Sequence, residues 1–360
     1  YKGDWEETKA RQIAWWRREE VDRPMLVLSA PRRHPLPYTP APEPTDDRQR
    51  RLDFDAVLAR AEATFAQRVY LAESFPYVTA DLGPGSAGTF LGAEPFFHPD
   101  TVWYRPRFAD LQEAAIRLEE DNPWWQWTLQ ATRKAMARAE GRYLVAIPDL
   151  IENLDTLAAL VGTRALLFGL KDCPQEVHRL QRELLPVWDE IFERLYRIVS
   201  PRWDGNAFMA FTIWGPGKTA KLQCDFSAML SPEMFAEFVI PYMAEQASHL
   251  DYVLYHLDGP GAIAHLDLLC AMEGLDAIQW VPGAGKPDGS DPCWDFIYRK
   301  VLDAGKGIMA GMTVAEVPRF VRRFGRRGVY IVVSDVQTEE EGHELIRSVT
   351  ARPQASDIKR

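Results

Sequence analysis

The sequence lacks the features that would place the chain in a membrane or in a disulfide-stabilised class. No apolar run approaches the roughly 18 residues that a membrane-spanning helix needs. The first residues, YKGDWEETKARQIAWW, contain no apolar segment typical of a secretory signal. Only four cysteines occur in 360 residues, widely spaced and without a CxxC pair, which fits a reducing compartment. We therefore expect a cytoplasmic protein that does not bind membranes.

Positive charge and nucleotide-binding motifs are also scarce. The formal net charge is −10, whereas nucleic acids and anionic membranes favour basic surfaces, so we expect no nucleic-acid partner. No GxGxxG or Walker lysine motif follows any β-prone run, so the usual arguments for a nucleotide site do not apply. An apolar share of 46% is ample for a hydrophobic core.

What the sequence does contain is a repeated alternation of β-prone runs and helical segments. This spacing is typical of parallel sheets and predicts a (β/α)8 barrel, with a doubly wound open sheet as the alternative. We expect a helical extension over 1–23, a single barrel domain over 24–350 and a tail over 351–360. The predicted strands lie at 25–29, 75–81, 142–147, 206–213, 253–255, 276–281, 307–311 and 329–333. Helices are predicted at 4–22, 50–72, 109–120 and 123–140 among others, with a proline-rich loop at 35–47 and an irregular excursion or small hairpin at 90–107.

Polar side chains follow the fifth and sixth predicted strands. In parallel α/β folds the carboxyl ends of the strands face the ligand, so His256, Asp258 and Gln279 become candidate site residues, with Tyr255 and Trp280 beside them. His256 and Asp258 are two residues apart and can point to one face. They are either metal ligands or an acid–base pair, or else a hydrogen-bonded loop histidine and a helix-capping aspartate.

Further candidates follow other predicted strands. Asp149 and Glu152 come after the third strand, where they form a carboxylate pair or cap a helix. Trp214 follows the fourth strand and, with Trp280, either stacks on a flat ligand or packs the core. His265, on the helix between the fifth and sixth strands, is expected to face outward.

Four stretches of the chain carry a recognisable pattern: Asp22-Arg23-Pro24, Leu91-Gly92-Ala93-Glu94, the segment at 230–242 (LSPEMFAEFVIPY), and His256 with Gly259. Together they resemble the uroporphyrinogen decarboxylase superfamily, which includes porphyrinogen decarboxylases and corrinoid-linked methyltransferases. The most specific part is the segment at 230–242, whose pattern in the family reads SPe.f.eFv.Py. The resemblance spans most of residues 22–350 and implies a (β/α)8 barrel of uroporphyrinogen decarboxylase type.

The chain departs from the decarboxylase branch after the first strand. That branch carries an Arg-Gln-Ala-Gly-Arg motif, where this chain has Ser-Ala-Pro-Arg32-Arg33. Arg32 and Arg33 can still bind a carboxylate, but the anchor for a tetracarboxylate substrate is missing. Asp81 ends the second predicted strand, near where that branch uses an aspartate on the pyrrole nitrogens, so decarboxylation stays open.

The methyltransferase branch is more similar around the fifth strand. It carries His-x-Cys and a later cysteine as zinc ligands, whereas this chain has His256-x-Asp258 and, after the eighth strand, Asp335. The resemblance therefore implies a metal site of His256, Asp258 and Asp335, in which the oxygen ligands suit zinc, magnesium or manganese. It is equally open whether any metal binds.

These observations lead to one leading hypothesis and two alternatives. The first is an enzyme that moves a methyl group between a corrinoid (cobalamin or a corrinoid protein) and a small molecule. His256, Asp258, Asp335 and Asp149 are its candidate catalytic residues, and Trp214, Gln279, Trp280, Asp81, Tyr255 and Arg32 its candidate substrate-binding residues. The alternatives are a lyase, decarboxylase or carbohydrate-active hydrolase on the same barrel, and a non-catalytic ligand-binding protein. The oligomeric state stays open, with a homodimer among the alternatives.

Overall fold

Aliphatic runs form strands and amphipathic segments form helices throughout residues 1–99 and 101–350, which the computed structural model describes. The strands are β1 (Met25–Pro31), β2 (Arg68–Ala72), β3 (Tyr77–Thr79), β4 (Glu94–Phe97), β5 (Val102–Arg105), β6 (Leu144–Ala146), β7 (Gly205–Phe208), β8 (Ile213–Pro216), β9 (Thr219–Gln223), β10 (Tyr252–Asp258), β11 (Ala277–Val281), β12 (Gly307–Thr313) and β13 (Val329–Ser334).

The helices mostly connect these strands. They are α1 (Trp5–Trp16), α2 (Asp47–Leu52), α3 (Phe54–Gln67), α4 (Ser86–Phe90), α5 (Pro123–Ala139), α6 (Asn153–Val161), α7 (Thr163–Asp172), α8 (Pro174–Val199), α9 (Pro232–Phe238), α10 (Ile240–Ala247), α11 (Leu266–Ala271), α12 (Asp295–Asp303), α13 (Val317–Phe324) and α14 (Glu339–Val349). Short 3₁₀ turns occur at Ser200–Arg202, Asp225–Met229, Pro260–His265 and Pro292–Trp294.

Seven strands form the main sheet, in the order β2-β1-β13-β12-β11-β10-β9. Every neighbouring pair is parallel except β1 with β2. Strands β3 and β6 form a separate parallel pair, and β6 reaches β7 through a single parallel bridge, Ile147 to Phe208. Parallel α/β architecture is thus confirmed. Within the part of the chain that the structure describes, backbone pairing does not close the sheet into a ring.

The two faces of the main sheet have different neighbours. Along β10, Val253, Tyr255 and Leu257 belong to the large core that the helices cover. Leu254 belongs to a second cluster on the opposite, inner face. Because side chains alternate along a strand, His256 and Asp258 share the inner face with Leu254. The inner face therefore carries the polar ends of these strands.

Helix α1 packs across the starts of the strands. The Trp15 ring lies 5.2 Å from that of Tyr330, and Trp16 Nε1 donates to the Trp214 carbonyl at 2.9 Å. Trp15, Trp16 and Tyr330 belong to the inner-face cluster, so the predicted N-terminal helix covers this end of the sheet. Behind it, Arg23 forms a buried pair with Glu73, with nitrogen–oxygen distances of 2.7 and 2.6 Å.

One predicted helix does not form. Residues 109–120 make turns and irregular backbone, and several of their backbone groups are hydrogen bonded to side chains of α8. The Ile116 amide donates to the Glu183 carboxylate, and Arg179 donates to the carbonyls of Leu111 and Ala114. The apolar residues of the segment, among them Leu111, Ala114 and Ile116, are buried without forming a helix.

Two other predicted elements are divided. The helix predicted at 50–72 ends at Gln67, and its last five residues form β2 against β1. The strand predicted at 206–213 becomes the antiparallel hairpin of β7 and β8, and β9 takes the place beside β10. The excursion at 90–107 contains the hairpin of β4 and β5.

Among the helices that the structure describes, none is both long and apolar enough to cross a bilayer. The tail predicted at 351–360 lies outside the described residues.

Candidate metal-binding site

Three potential metal ligands meet at the carboxyl ends of β9 and β10. One ligand atom each from Asp225, His256 and Asp258 lies within 4.8 Å of the others. His256 and Asp258 occupy inner-face positions of β10, and Asp225 follows β9, which pairs with β10 in parallel. One imidazole nitrogen and two carboxylates form a donor set that suits zinc and the harder divalent cations. Three protein ligands leave room for a substrate atom on the same ion.

The His256 ring is held by its neighbours on two sides. Its Nδ1 is hydrogen bonded to Oε1 of Gln279, which lies directly opposite on β11. Because that amide oxygen can only accept, Nδ1 carries the proton and Nε2 is free to bind a cation. The Phe211 ring packs against the imidazole, with ring centroids 5.5 Å apart.

Phe211 reaches this position from the turn between β7 and β8. Tyr330 donates its hydroxyl to the carbonyls of Phe211 at 3.1 Å and Thr212 at 2.7 Å. Tyr77 donates to the Ala210 carbonyl at 3.1 Å. Ala210 and Thr212 have φ values of 98° and 54°, which cost energy for residues with a Cβ. Tertiary hydrogen bonds thus hold a strained turn beneath the histidine.

Asp225 is oriented through both its side chain and its backbone. Gln223 Nε2 donates to Asp225 Oδ2 at 2.9 Å, and the Asp225 amide donates to the Asp155 carboxylate at 2.7 Å. Although the Asp225 side chain reaches solvent, desolvation by the surrounding protein raises its pKa, and Asp258 raises it further while His256 opposes both. Burial also raises the pKa of Asp155, at the start of α6. A cation at this site would relieve the repulsion between the carboxylates.

A lysine extends the polar row from the cluster toward β6. Lys221 lies two residues before Gln223 on β9, and its Nζ is hydrogen bonded to Gln223 Oε1. The same ammonium lies 2.6 Å from Asp149 Oδ1. Asp149, which was predicted as a catalytic candidate, is therefore the ion-pair partner of Lys221. It is not a member of the ligand cluster.

Asp335 lies apart from the cluster, contrary to the predicted ligand set. It has a left-handed backbone with φ of 60°, is exposed, and accepts a hydrogen bond from the Val314 amide at 2.9 Å. The carboxylate thus links two loops after β12 and β13. Asp225 occupies the third position of the cluster instead.

The predicted aromatic candidates pack in the core. Trp214 is fully buried, with its ring 5.7 Å from Trp5 of α1, at the end of the sheet where the strands begin. Trp280 lies in the helix-covered core, 5.1 Å from Trp294. Tyr255 is also buried there, and this burial raises the pKa of its hydroxyl. None of these three side chains therefore lies with His256 at the polar end of the inner face.

Two further candidates, Asp81 and Arg32, are bound by other groups of the protein. Arg51 lies 2.6 Å from Asp81, whose pKa is raised chiefly by burial while the arginine opposes that shift. Arg32 donates to the Arg68 carbonyl at 3.0 Å, on the strand beside β1. Arg51, in the segment after the proline-rich loop, was not predicted as a site residue.

Sequence reasoning missed Asp225, Lys221, Gln223 and Phe211. The first three alternate with Leu222 and Cys224, which is the period-2 pattern of a strand with one polar face. This alternating pattern is visible in the sequence itself. Phe211 had no comparable signal, because its contact with the histidine depends on the path of the hairpin turn. His265 was expected to face outward, but it is fully buried and stacks on Phe235 at 4.2 Å.

Comparison with known proteins supports the fold. No protein-family model and no curated protein matches the chain. Among solved structures, a methyltransferase from Methanosarcina mazei superposes with a TM-score of 0.61 at 11% sequence identity, covering 95% of this chain and 98% of that chain. Macrophomate synthase reaches a TM-score of only 0.22 at 13% identity, covering 61% and 70% of the two chains. The first likeness shows a shared fold over nearly the whole length.

Proposed function

We propose that this chain is an enzyme that transfers a methyl group at a divalent metal bound by Asp225, His256 and Asp258. The convergence of these three ligand atoms within 4.8 Å carries the proposal. Support also comes from the structural neighbour, which is described as a methyltransferase. We further propose that the architecture is a (β/α)8 barrel of uroporphyrinogen decarboxylase type, closer to the methyltransferase branch of that superfamily.

The protein's own side chains would prepare the site for a substrate heteroatom. Gln279 keeps the proton on Nδ1 of His256, so Nε2 is the nitrogen left to bind a cation. Asp225 and Asp258 supply the negative charge that favours a dication. A divalent metal held there would act as a Lewis acid that lowers the pKa of a bound thiol, alcohol or amine. A deprotonated heteroatom can accept a methyl group, and in the reverse direction it must be protonated as the methyl group leaves.

The methyl partner that we propose is a corrinoid, either cobalamin or a corrinoid protein, which enters as a co-substrate. We also propose a cytoplasmic location, a small-molecule second substrate and a homodimeric assembly. The cysteines are compatible with a reducing compartment, since none of the four is in a disulfide.

The test combines metal binding with methyl transfer. The chain is stripped with a chelator and reloaded with zinc, manganese or cobalt, and methylcobalamin is then mixed with small thiols, alcohols and amines. We expect loss of methylcobalamin absorbance with one acceptor class, only in the metal-loaded protein. Asp225→Asn and His256→Ala should lose both metal and transfer, whereas the exposed Asp303→Asn should keep both. Full metal content in Asp225→Asn and His256→Ala would contradict the site.

The raised pKa of Asp225 favours a second candidate, a lyase or hydrolase that uses general acid–base catalysis. A carboxyl that holds its proton longer than usual can serve as an acid beside the carboxylate of Asp258. Such an enzyme would need no metal. Release of carbon dioxide or sugar by the chelator-treated chain, with no methylcobalamin turnover, would favour this candidate over methyl transfer.

A further inference from the structure

We propose that Lys221 is a positioning residue for the metal-binding cluster, acting on Asp225 through the side-chain amide of Gln223. This inference rests on the proposed metal site. Lys221 and Gln223 are alternate residues of β9 and therefore share its inner face. The hydrogen bonds run in one direction, from the Lys221 ammonium to Gln223 Oε1 and from Gln223 Nε2 to Asp225 Oδ2 at 2.9 Å.

The ammonium determines which way the amide of Gln223 points. A lysine ammonium only donates hydrogen bonds, so the amide group that faces it must be the oxygen. Rotating the amide by half a turn would place two donors against each other and would aim the oxygen at the Asp225 carboxylate. Both steps are unfavourable in a site where Lys221 is 8% and Gln223 is 3% exposed. With Lys221 in place, Gln223 therefore donates to Asp225.

As a consequence, the carboxylate of Asp225 is held in one orientation within the cluster. Gln223 donates to Oδ2 of Asp225 and so restrains the rotation of a carboxylate that forms the cluster with His256 and Asp258. Partners that orient a metal ligand typically contribute about 10–100-fold to metal affinity when they are removed. Gln279 does this for His256, and Lys221 with Gln223 does it for Asp225.

A simpler role for Lys221 is to neutralise Asp149, 2.6 Å away. The two roles predict different behaviour when Asp149 is also made neutral. If Lys221 served only Asp149, then Asp149→Asn would restore metal binding to Lys221→Met. If it acts through Gln223, the double variant keeps the metal-binding defect of Lys221→Met, although it no longer buries an unpaired carboxylate.

The experiment measures Co²⁺ binding to the chelator-treated full chain by the visible absorption of the bound ion. We expect Lys221→Met and Gln223→Leu each to weaken Co²⁺ binding by about 10–100-fold, with a changed absorption spectrum. The double variant Lys221→Met with Gln223→Leu should bind Co²⁺ no more weakly than either single variant, because both substitutions break the same chain of hydrogen bonds to Asp225. Asp149→Asn combined with Lys221→Met should keep the defect. The exposed Lys171→Met and Gln130→Leu are matched controls with unchanged affinity and spectrum.

The outcomes separate this inference from the proposed function. Absence of Co²⁺ binding in the wild-type chain would overturn the metal site itself. Wild-type binding together with unchanged affinity in Gln223→Leu would overturn the relay and leave the metal site standing. Full recovery in Asp149→Asn with Lys221→Met, or additive losses in Lys221→Met with Gln223→Leu, would also overturn it. Circular dichroism shows whether each variant folds. If Lys221→Met alone does not fold, Gln223→Leu and the double variant Asp149→Asn with Lys221→Met still test the relay.

Discussion

Gln279 lies directly across from His256 on the neighbouring parallel strand, and its side-chain oxygen accepts a hydrogen bond from Nδ1 of the imidazole. The register of two strands thus sets both the orientation and the tautomer of a candidate metal ligand. A histidine whose second nitrogen is held in this way presents the first to the ion at little further cost in entropy.

Removing this hydrogen bond should weaken metal binding without removing a ligand. We expect Gln279→Leu to lower Co²⁺ or Zn²⁺ affinity by about 10–100-fold, because the imidazole can then rotate or change tautomer. Gln279→Glu keeps an acceptor opposite Nδ1 and should retain most of the affinity. Competition titration against a chelator measures the effect. Equal affinities for Gln279→Leu and wild type would show that Gln279 does not orient the ligand.

The sequence and the structure name different third ligands, and metal stoichiometry distinguishes them. Asp225→Ala should reduce metal affinity by more than the ~10–100-fold cost of losing an outer partner, because it removes a donor of the cluster. Asp335→Ala should keep metal binding, because Asp335 is bonded to the Val314 amide instead. Elemental analysis after dialysis measures both. Loss of metal in Asp335→Ala with retention in Asp225→Ala would restore the ligand set read from the sequence.

The sequence predicted the part of the site that lies on one strand and missed the part that depends on pairing. His256 and Asp258 follow an aliphatic run, so their shared face could be inferred from strand periodicity. Asp225 reaches them only because β9 pairs with β10 in a register that sets Gln223 opposite His256. No local pattern encodes that register. The strand that carries it, β9, is half polar and is not among the strands predicted from the sequence.

The same distinction applies to the fold. The apolar strand β13 was predicted almost to its end, because burial on both faces requires a continuous apolar run. The prediction for β10 covered only its apolar residues 253–255, and the polar end from His256 to Asp258 was assigned to the following turn. The hairpin of β7 and β8 was read as one strand, since nothing in its composition marks the reversal at Ala210. The reversal is held by hydroxyl groups of Tyr77 and Tyr330, which are distant in sequence.

Trp214 should behave as a core residue and not as part of a ligand pocket. We expect Trp214→Ala to lower the free energy of unfolding by about 3–5 kcal/mol, because the side chain is fully buried against α1. Trp103→Ala is the matched control, since Trp103 is 65% exposed and should change stability by only about 0.5 kcal/mol. Urea unfolding measures both. A stable Trp214→Ala variant with altered cobalamin or substrate binding would return Trp214 to the site.

His265 should make the stability of the fold depend on pH in one direction. Its ring is buried against Phe235, its Nε2 is hydrogen bonded to the Ser227 carbonyl, and its Nδ1 has no partner among the described residues. Burial lowers the pKa of the imidazole below its ordinary value, and the bond to Ser227 opposes the shift in part. The unfolded chain therefore binds a proton at His265 more readily than the folded chain does.

The difference in proton binding between the folded and unfolded chains sets the direction in which stability changes with pH. Stability rises with pH wherever the unfolded state binds more protons, so the contribution of His265 is complete above about pH 6.5 and declines as the pH falls below it. His265→Gln removes that decline, so the stability advantage of wild type over His265→Gln should narrow between about pH 8 and about pH 5. Urea unfolding of wild type and His265→Gln across this range measures the narrowing, with the exposed His34→Gln measured alongside as a control for replacing a surface histidine. An advantage that widens on acidification would mean that the folded protein holds His265 protonated, which its apolar surroundings oppose.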